Sequence, residues 1–367
     1  MKNTLGNSLT VTLFGESHGA CVGAVIDGIA PGIRIDEEYM AARMDERRPV
    51  GKISTPRRES DAPELVSGVF NGYTTGTPVC IIIRNENANS RDYSALRDRP
   101  RPSHADYTAE CKYHGYQDYR GGGHFSGRVT AALVAAGAII RRALENNGIL
   151  IGTHISELKS IPDRPFDDYK TDIEALKALP FPVLDSRAAE KMHKLITECA
   201  EKGDSVGGIL ETAVIGMPVG VGEPWFDTVE GVLAHALFSI PGIKGVEFGA
   251  GFAITDMLGS EANDPFRIEN GKIITETNNS GGINGGISNG MPITFKCAVK
   301  PTPSIFKEQR TVSLSEGENV TECIEGRHDP AIIHRARAVV DAVTAIALAD
   351  LLVTKYGTDY LADKDCE

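Results

Sequence analysis

The sequence predicts an α+β fold in which helices pack on antiparallel sheets. Short runs with strand-type patterning are numerous, and two long segments carry strong helical periodicity. The two kinds of element follow one another in mixed order rather than in the regular alternation of a doubly wound parallel sheet.

Strand-type runs occupy residues 9–14, 22–27, 64–70, 79–84, 149–155, 208–215 and 291–299, most with Gly, Pro or Asn nearby. Helical spacing is clear over 126–145, where Val129, Leu133, Ala136, Ile140 and Leu144 recur at three- and four-residue steps. Over 330–352 the apolar face is broader, with Ile332, Ala336, Val339, Val340, Val343, Ile346, Ala347 and Leu351. Such a face predicts a deeply buried helix. Fainter helical patterns cover 37–47, 187–201 and 228–239. Ser126 reads as the N-cap of the first long helix, and Asp329 followed by Pro330 as the N-cap and first position of the second. No repeat or low-complexity linker divides the chain, so residues 1–367 are read as one domain with a flexible tail from about 354.

A net charge of −12 weighs against a basic nucleic-acid module. The longest nearly apolar run, 129–140, is shorter than the ~20 residues of a membrane span, so no span is predicted. No apolar secretory block follows Met1, and a cytoplasmic location is expected. The seven cysteines are scattered and never form C-x-x-C, which predicts neither a disulfide framework nor a zinc site.

Positive charge is nonetheless concentrated in loops. One cluster holds Arg43, Arg47, Arg48, Lys52, Arg57 and Arg58, and a second holds Arg91, Arg97, Arg99, Arg101 and His104. His124 and Arg128 flank a glycine triplet, and Lys300, Arg327, His328, His334, Arg335 and Arg337 lie further on. Guanidinium forks suit a ligand with several phosphate or carboxylate groups. The same residues could equally be surface charge paired with Asp45, Glu46, Asp92 and Asp98. Gly121-Gly122-Gly123-His124-Phe125-Ser126-Gly127-Arg128 runs into a predicted helix and could cradle an anion, or serve as an ordinary turn. Gly15-Glu16-Ser17-His18-Gly19 places a histidine at a strand exit within reach of a ligand. It also fits G-x-S-x-G, but no amphipathic helix starts at Ser17 as a nucleophile elbow requires. For Asp329, helix capping alone is a sufficient explanation.

Taken together, Gly15-Glu16-Ser17-His18-Gly19, Arg47-Arg48-Pro49, Arg101-Pro102-Ser103-His104-Ala105-Asp106, Asp118-Tyr119-Arg120-Gly121-Gly122-Gly123, the 281–290 glycine loop, Lys300-Pro301-Thr302 and Gly326-Arg327-His328-Asp329-Pro330 resemble the chorismate synthases from about residue 5 to about 352. The resemblance implies a β-α-β sandwich assembled as a homotetramer. It implies 1,4-elimination of phosphate from 5-enolpyruvylshikimate 3-phosphate to give chorismate, with reduced FMN required although no net redox change occurs. By motif, His18 would protonate the departing phosphate. His104 would manage a proton near the flavin N1 and C2 carbonyl, and Asp329 would act with flavin N5 in removing the C6 proton. Arg47, Arg48, Arg101, Arg128 and Arg327 would bind anionic groups, with Lys52 as a further candidate. His124, Phe125, Ser126, Gly285, Lys300, Pro301, Thr302, Pro303, Ser304 and Arg327 would cradle the flavin. Family members often carry Arg where His124 stands, and Gly where Val50 stands. No long extra segment could house a flavin reductase, so an external source of reduced FMN is expected.

Two other classes remain open at this stage. A metal-dependent phosphate-ester hydrolase could use His18, His104, Asp106, His328 and Asp329, although their spacing matches no ligand motif. A polyanion-binding scaffold could use the Arg loops. The first reading makes a concrete demand: His18 and His104 must face one cavity.

Overall fold

Two five-stranded antiparallel sheets enclose a layer of helices. The computed structural model describes residues 2–49, 51, 61–86, 97–324 and 329–363. The first sheet runs in the order Thr4–Leu5, Thr10–Gly15, Cys21–Asp27, Val79–Arg84, Glu64–Ser67. Its inward residues alternate along each strand, as in Val79, Ile81 and Ile83, all fully buried. The second sheet runs in the order Ile243–Phe248, Ile293–Val299, Gly208–Ile215, Leu150–Leu158, Ile161–Pro162. Ile293, Phe295, Cys297 and Val299 face its core in the same period-two pattern.

The helix Thr130–Asn146 packs on the first sheet, the helix Ile333–Tyr356 on the second, and the two pack on each other. At Gly137 an added Cβ would lie 2.4 Å from Ala342 Cβ, so the missing side chain is what lets the helices approach. A polar tie crosses this apolar layer: Arg141 pairs with Asp341 at 2.9 Å, and Thr153 Oγ1 donates to the same carboxylate at 2.6 Å. At the other end, Asp350 accepts the backbone amides of Asn7, Ser8 and Leu9 at 3.0, 2.7 and 2.9 Å. The sandwich expected from the resemblance is present, and the C-terminal helix is buried on almost every face, as its broad apolar pattern predicts.

All seven strand-type runs contain strands, and the fainter helices form as Glu37–Asp45, Ser186–Glu201 and Val229–Phe238, capped by Asp36, Asp185 and Thr228. The 64–70 run is broken at Gly68, whose φ of 79° lets the chain pass Pro78 O, which an added Cβ would approach to 2.5 Å. The helices Asp106–Tyr113 and Tyr169–Leu176 and the strand Ile243–Phe248 escaped the periodicity reading, because each is short and buries few residues.

Two caps are corrected. Ser126 caps a short 3₁₀ turn, Gly127–Val129, by accepting from Arg128 N, and the α-helix starts only at Thr130. Asp329 is not the N-cap of the second long helix, which begins at Ile333 with Ile332 at that position, and its carboxylate pairs with Arg335. A guanidinium competes better for a carboxylate than a backbone amide does. The stretch from 354 continues as helix to Tyr356, and the following 3₁₀ turn buries Leu361 completely. No helix among the described residues is long and apolar enough to cross a membrane.

Candidate active site

Three loops meet where the Thr10–Gly15 strand ends. The Gly15–Gly19 loop is tied to the glycine triplet by Ser17 N donating to Gly123 O at 3.1 Å, and His124 Nδ1 donates to Gly15 O at 2.8 Å. Asn85 closes it from the other side, donating through Nδ2 to Glu16 O and Gly19 O, both at 2.9 Å. The triplet itself has φ values of 58°, 84° and 54°, a left-handed run that only glycine adopts without strain.

That run brings one histidine against each of two consecutive glycines. An added Cβ on Gly121 would lie 2.3 Å from His18 Cε1, and one on Gly122 would lie 3.2 Å from His104 Cε1. Consecutive Cα atoms are about 3.8 Å apart, so both imidazoles abut one peptide unit. Both imidazoles therefore lie beside the same glycine pair. His18 is 7% exposed, its Nδ1 3.0 Å from Ser17 Oγ, which donates to Arg120 O and Gly121 O. His104 Nδ1 donates to Asp106 Oδ1 at 2.7 Å. Burial would raise the Asp106 carboxyl, but hydrogen bonds from Arg101 and His104 hold it well below the usual carboxylate range.

The cationic side chains are buried and committed to partners. Arg101 spans Asp106, with Nε on Oδ2 and Nη2 on Oδ1, both at 2.8 Å. Arg47 and Arg128 share one buried carboxylate, Asp61: Arg47 Nη1 lies 3.1 Å from Oδ2, and Arg128 Nη1 contacts Oδ1. Burial pushes the Asp61 carboxyl up, yet Arg47 and Arg128 outweigh it and hold it below its ordinary value. Arg128 Nε also donates to Asn85 Oδ1 at 2.9 Å, linking this trio to the His18 loop. Arg335, paired with Asp329, donates through Nε to Arg47 O at 2.8 Å. His18, Arg47, Arg128, Asp329 and, through the glycines, His104 and Arg101 therefore belong to one connected network.

Other predicted residues lie at its margin or apart. Lys300 Nζ donates to Ser103 O at 2.5 Å, beside the His104 loop, and burial then the nearby Lys244 charge lower its pKa. Thr302 Oγ1 is buried with no hydrogen-bond partner among the described residues, Ser304 is buried, and Pro301 is exposed. Gln309 Nε2 donates to Pro303 O at 3.3 Å. Phe125 packs edge-on to Tyr113. Arg48 stands half-exposed and pairs with Asp45 at 2.7 Å. Gly285 lies at the exposed tip of the Ile283–Asn284/Ile287–Ser288 hairpin, which packs on Thr228. Lys52, Arg327 and His328 lie outside the described residues.

Sequence reasoning gave no role to Asp61 or Asn85, and placed Arg335 only within a cluster of positive charge. Asp106 had a visible signal, two positions from His104; Asp61 had none, since its partners come from elsewhere in the chain. Among the described residues no three His, Cys, Asp or Glu side chains converge on a metal position, and His104 and Asp106 bond each other. A polyanion scaffold would present its guanidiniums to solvent, whereas Arg47, Arg101 and Arg128 are each less than a tenth exposed.

Two imidazoles set against consecutive glycines, with buried guanidinium–carboxylate pairs nearby on a β-α-β sandwich, bring proton-transfer groups and positive charge to one region of the fold. The family model for chorismate synthase matches residues 9–353. A chorismate synthase of Thermococcus gammatolerans is 48% identical over 351 residues, 95% of this chain and 97% of the relative. One from Lachnoclostridium phytofermentans is 47% identical over 354 residues, 96% of this chain and 95% of the relative. A solved structure described as a chorismate synthase superposes with a TM-score of 0.74 at 28% identity, covering 96% of this chain and 94% of that one. The chain belongs to the chorismate synthase family.

Proposed function

We propose that this chain eliminates phosphate from 5-enolpyruvylshikimate 3-phosphate to form chorismate with reduced FMN bound, and that His18, His104 and Asp329 carry its proton transfers. The observation that carries this reading is the placement of His18 and His104 against adjacent glycines within the arginine network. Phosphate is a poor leaving group as a trianion, and protonation by His18 lowers the charge that must depart. Asp329, its direction set by Arg335, receives the proton lost from carbon. Arg47 and Arg128 bring two guanidiniums together on Asp61, joined to the His18 loop through Asn85, where an anionic substrate would be received.

The flavin-binding residues fit a polar cofactor. Thr302 Oγ1 offers a buried hydroxyl without a partner, Lys300 joins the 300–304 segment to the His104 loop, and Gly285 leaves open space where a side chain would stand. When bound, reduced FMN supplies electron density to the allylic system as phosphate departs and regains it as the C–H bond breaks, hence no net redox change. No flavin-reducing partner is built into this reading, so reduced FMN comes from outside. A cytoplasmic location accords with the six described cysteines, all of them thiols.

Self-association, to a homotetramer, belongs to the same proposal. Phe252, Phe266, Ile268 and Ile273 are each two-thirds or more exposed on the Gly251–Asp256 turn and the Phe266–Glu269/Lys272–Thr275 hairpin. Exposed apolar groups so closely grouped in sequence mark a contact surface.

Anaerobic incubation with 5-enolpyruvylshikimate 3-phosphate and dithionite-reduced FMN tests the reaction: chorismate and phosphate should appear together, with or without a chelator. Phosphate released without chorismate, and only with a divalent metal, would instead establish an ester hydrolase.

A further inference from the structure

Asp106 is the first residue of the Asp106–Tyr113 helix, whose N-cap, Ala105, offers no side-chain acceptor. Four donors converge on its carboxylate: Arg101 N at 2.9 Å and Nε at 2.8 Å on Oδ2, Arg101 Nη2 at 2.8 Å and His104 Nδ1 at 2.7 Å on Oδ1. The positive end of the helix adds to them. Arg101 Nη2 lies 3.0 Å from His104 Nδ1 but 2.8 Å from Asp106 Oδ1, and the charged carboxylate is the stronger acceptor of its hydrogen; the carboxylate accepts only, so the proton it shares with His104 resides on Nδ1. Nε2 is then the atom that the ring presents toward Gly122, whose added Cβ would lie 3.5 Å from it.

We infer that Asp106, clamped by Arg101, is the positioning residue that fixes His104 in its Nδ1–H tautomer and turns Nε2 toward the reacting site. The inference rests on the acid–base role proposed for His104 and adds what makes that role possible. It also gives Arg101 a task other than the substrate binding expected from its motif: its Nε, Nη2 and backbone N are all engaged by Asp106. Without the carboxylate the neutral ring is free to carry its proton on Nε2, which then donates where it should accept. Asp106→Asn reverses the polarity of the contact at nearly constant shape, because the amide nitrogen donates to Nδ1.

The test reads the ring directly. Uniformly ¹⁵N-histidine-labelled full-length protein, with the His104 signals assigned by their loss in His104→Ala, should show the Nδ1–H form for wild type and the Nε2–H form for Asp106→Asn. In steady-state assays with reduced FMN, Asp106→Asn should lose kcat by roughly 10–100-fold, the scale seen when a histidine loses its orienting partner, with KM little changed. A wild-type ring in the Nε2–H form overturns the proposal without recourse to any variant. So does an Asp106→Asn enzyme that keeps both the wild-type tautomer and wild-type kcat. If His104→Ala turns over normally while the wild-type ring is Nδ1–H, the contact stands and it is the catalytic reading of His104 that fails.

Discussion

His18 and His104 are the residues on which turnover should depend most. His18→Ala and His104→Ala should each lower kcat by roughly 10²–10⁴-fold, the usual loss when general acid–base catalysis is removed; steady-state chorismate formation with either variant at the wild-type rate refutes the assignment. The glycines behind them should differ from each other. Gly121→Ala drives a methyl to 2.3 Å from the His18 ring and 2.8 Å from Ser17 Oγ, whereas at Gly122 the nearest atom is 3.2 Å away. Both positions have positive φ, so both substitutions strain the backbone, but kcat should fall further for Gly121→Ala. Equal kcat for the two variants contradicts the geometry. Asp61 poses a stability question. Asp61→Asn removes the carboxylate that Arg47 and Arg128 share, and removing one partner of a buried ion pair costs about 3–5 kcal/mol. Urea denaturation should register most of that loss; a midpoint matching wild type means that the remaining acceptors, Gly127 O, Asn85 Oδ1 and Arg84 O among them, suffice for the two guanidiniums.

At the scale of elements, His154 fastens the second sheet. From the strand Leu150–Leu158 its Nδ1 lies 2.8 Å from Asp163 Oδ2, and its Nε2 lies 3.0 Å from Glu211 Oε2 on the neighbouring strand Gly208–Ile215. Asp163 also accepts the amides of Leu184 and Asp185, so one ring joins two strands and the chain leading to the Ser186–Glu201 helix. Burial opposes the charged imidazole, but the two carboxylates prevail and raise its pKa above the ordinary 6.5. The folded ring thus holds its proton more tightly than the unfolded chain. Its contribution is complete below the unfolded value and disappears as pH rises through the folded one. Urea midpoints from about pH 6 to about pH 9 should fall toward the alkaline end, and His154→Gln should flatten that decline. An unaltered slope in the variant places the titration elsewhere. Legibility was uneven at this scale: the strands 79–84 and 208–215 follow from alternation within a few residues, whereas the Asp106–Tyr113 helix lies in a charged loop with one buried residue, Ala109, and carries no periodic signal.

Across the whole molecule, the network joins the end of the Thr10–Gly15 strand to the starts of the two long helices, and Phe266, Ile268 and Ile273 stand exposed on the Phe266–Glu269/Lys272–Thr275 hairpin. Ile268→Lys combined with Ile273→Lys should reduce the assembly to smaller species in light scattering after size exclusion, because burying two ammonium groups in an apolar contact is costly. A mass unchanged from wild type means that this surface is not the contact.

Local patterning by itself determined the strands, the two long helices and the glycine loops that admit a ligand, because each is written in windows of a few residues with a period of two or 3.6. The family was legible for a related reason: its loops are short, unusual and contiguous. Only the tertiary structure decided which charges pair. Asp61 meets Arg128 from 67 residues away, Arg335 reaches Arg47 across 288, and Asp329 leaves the helix cap that its sequence context favours. Ion-pair partners are chosen by which groups the fold buries together, since a charge removed from water must take the nearest opposite one, and no short window records that proximity.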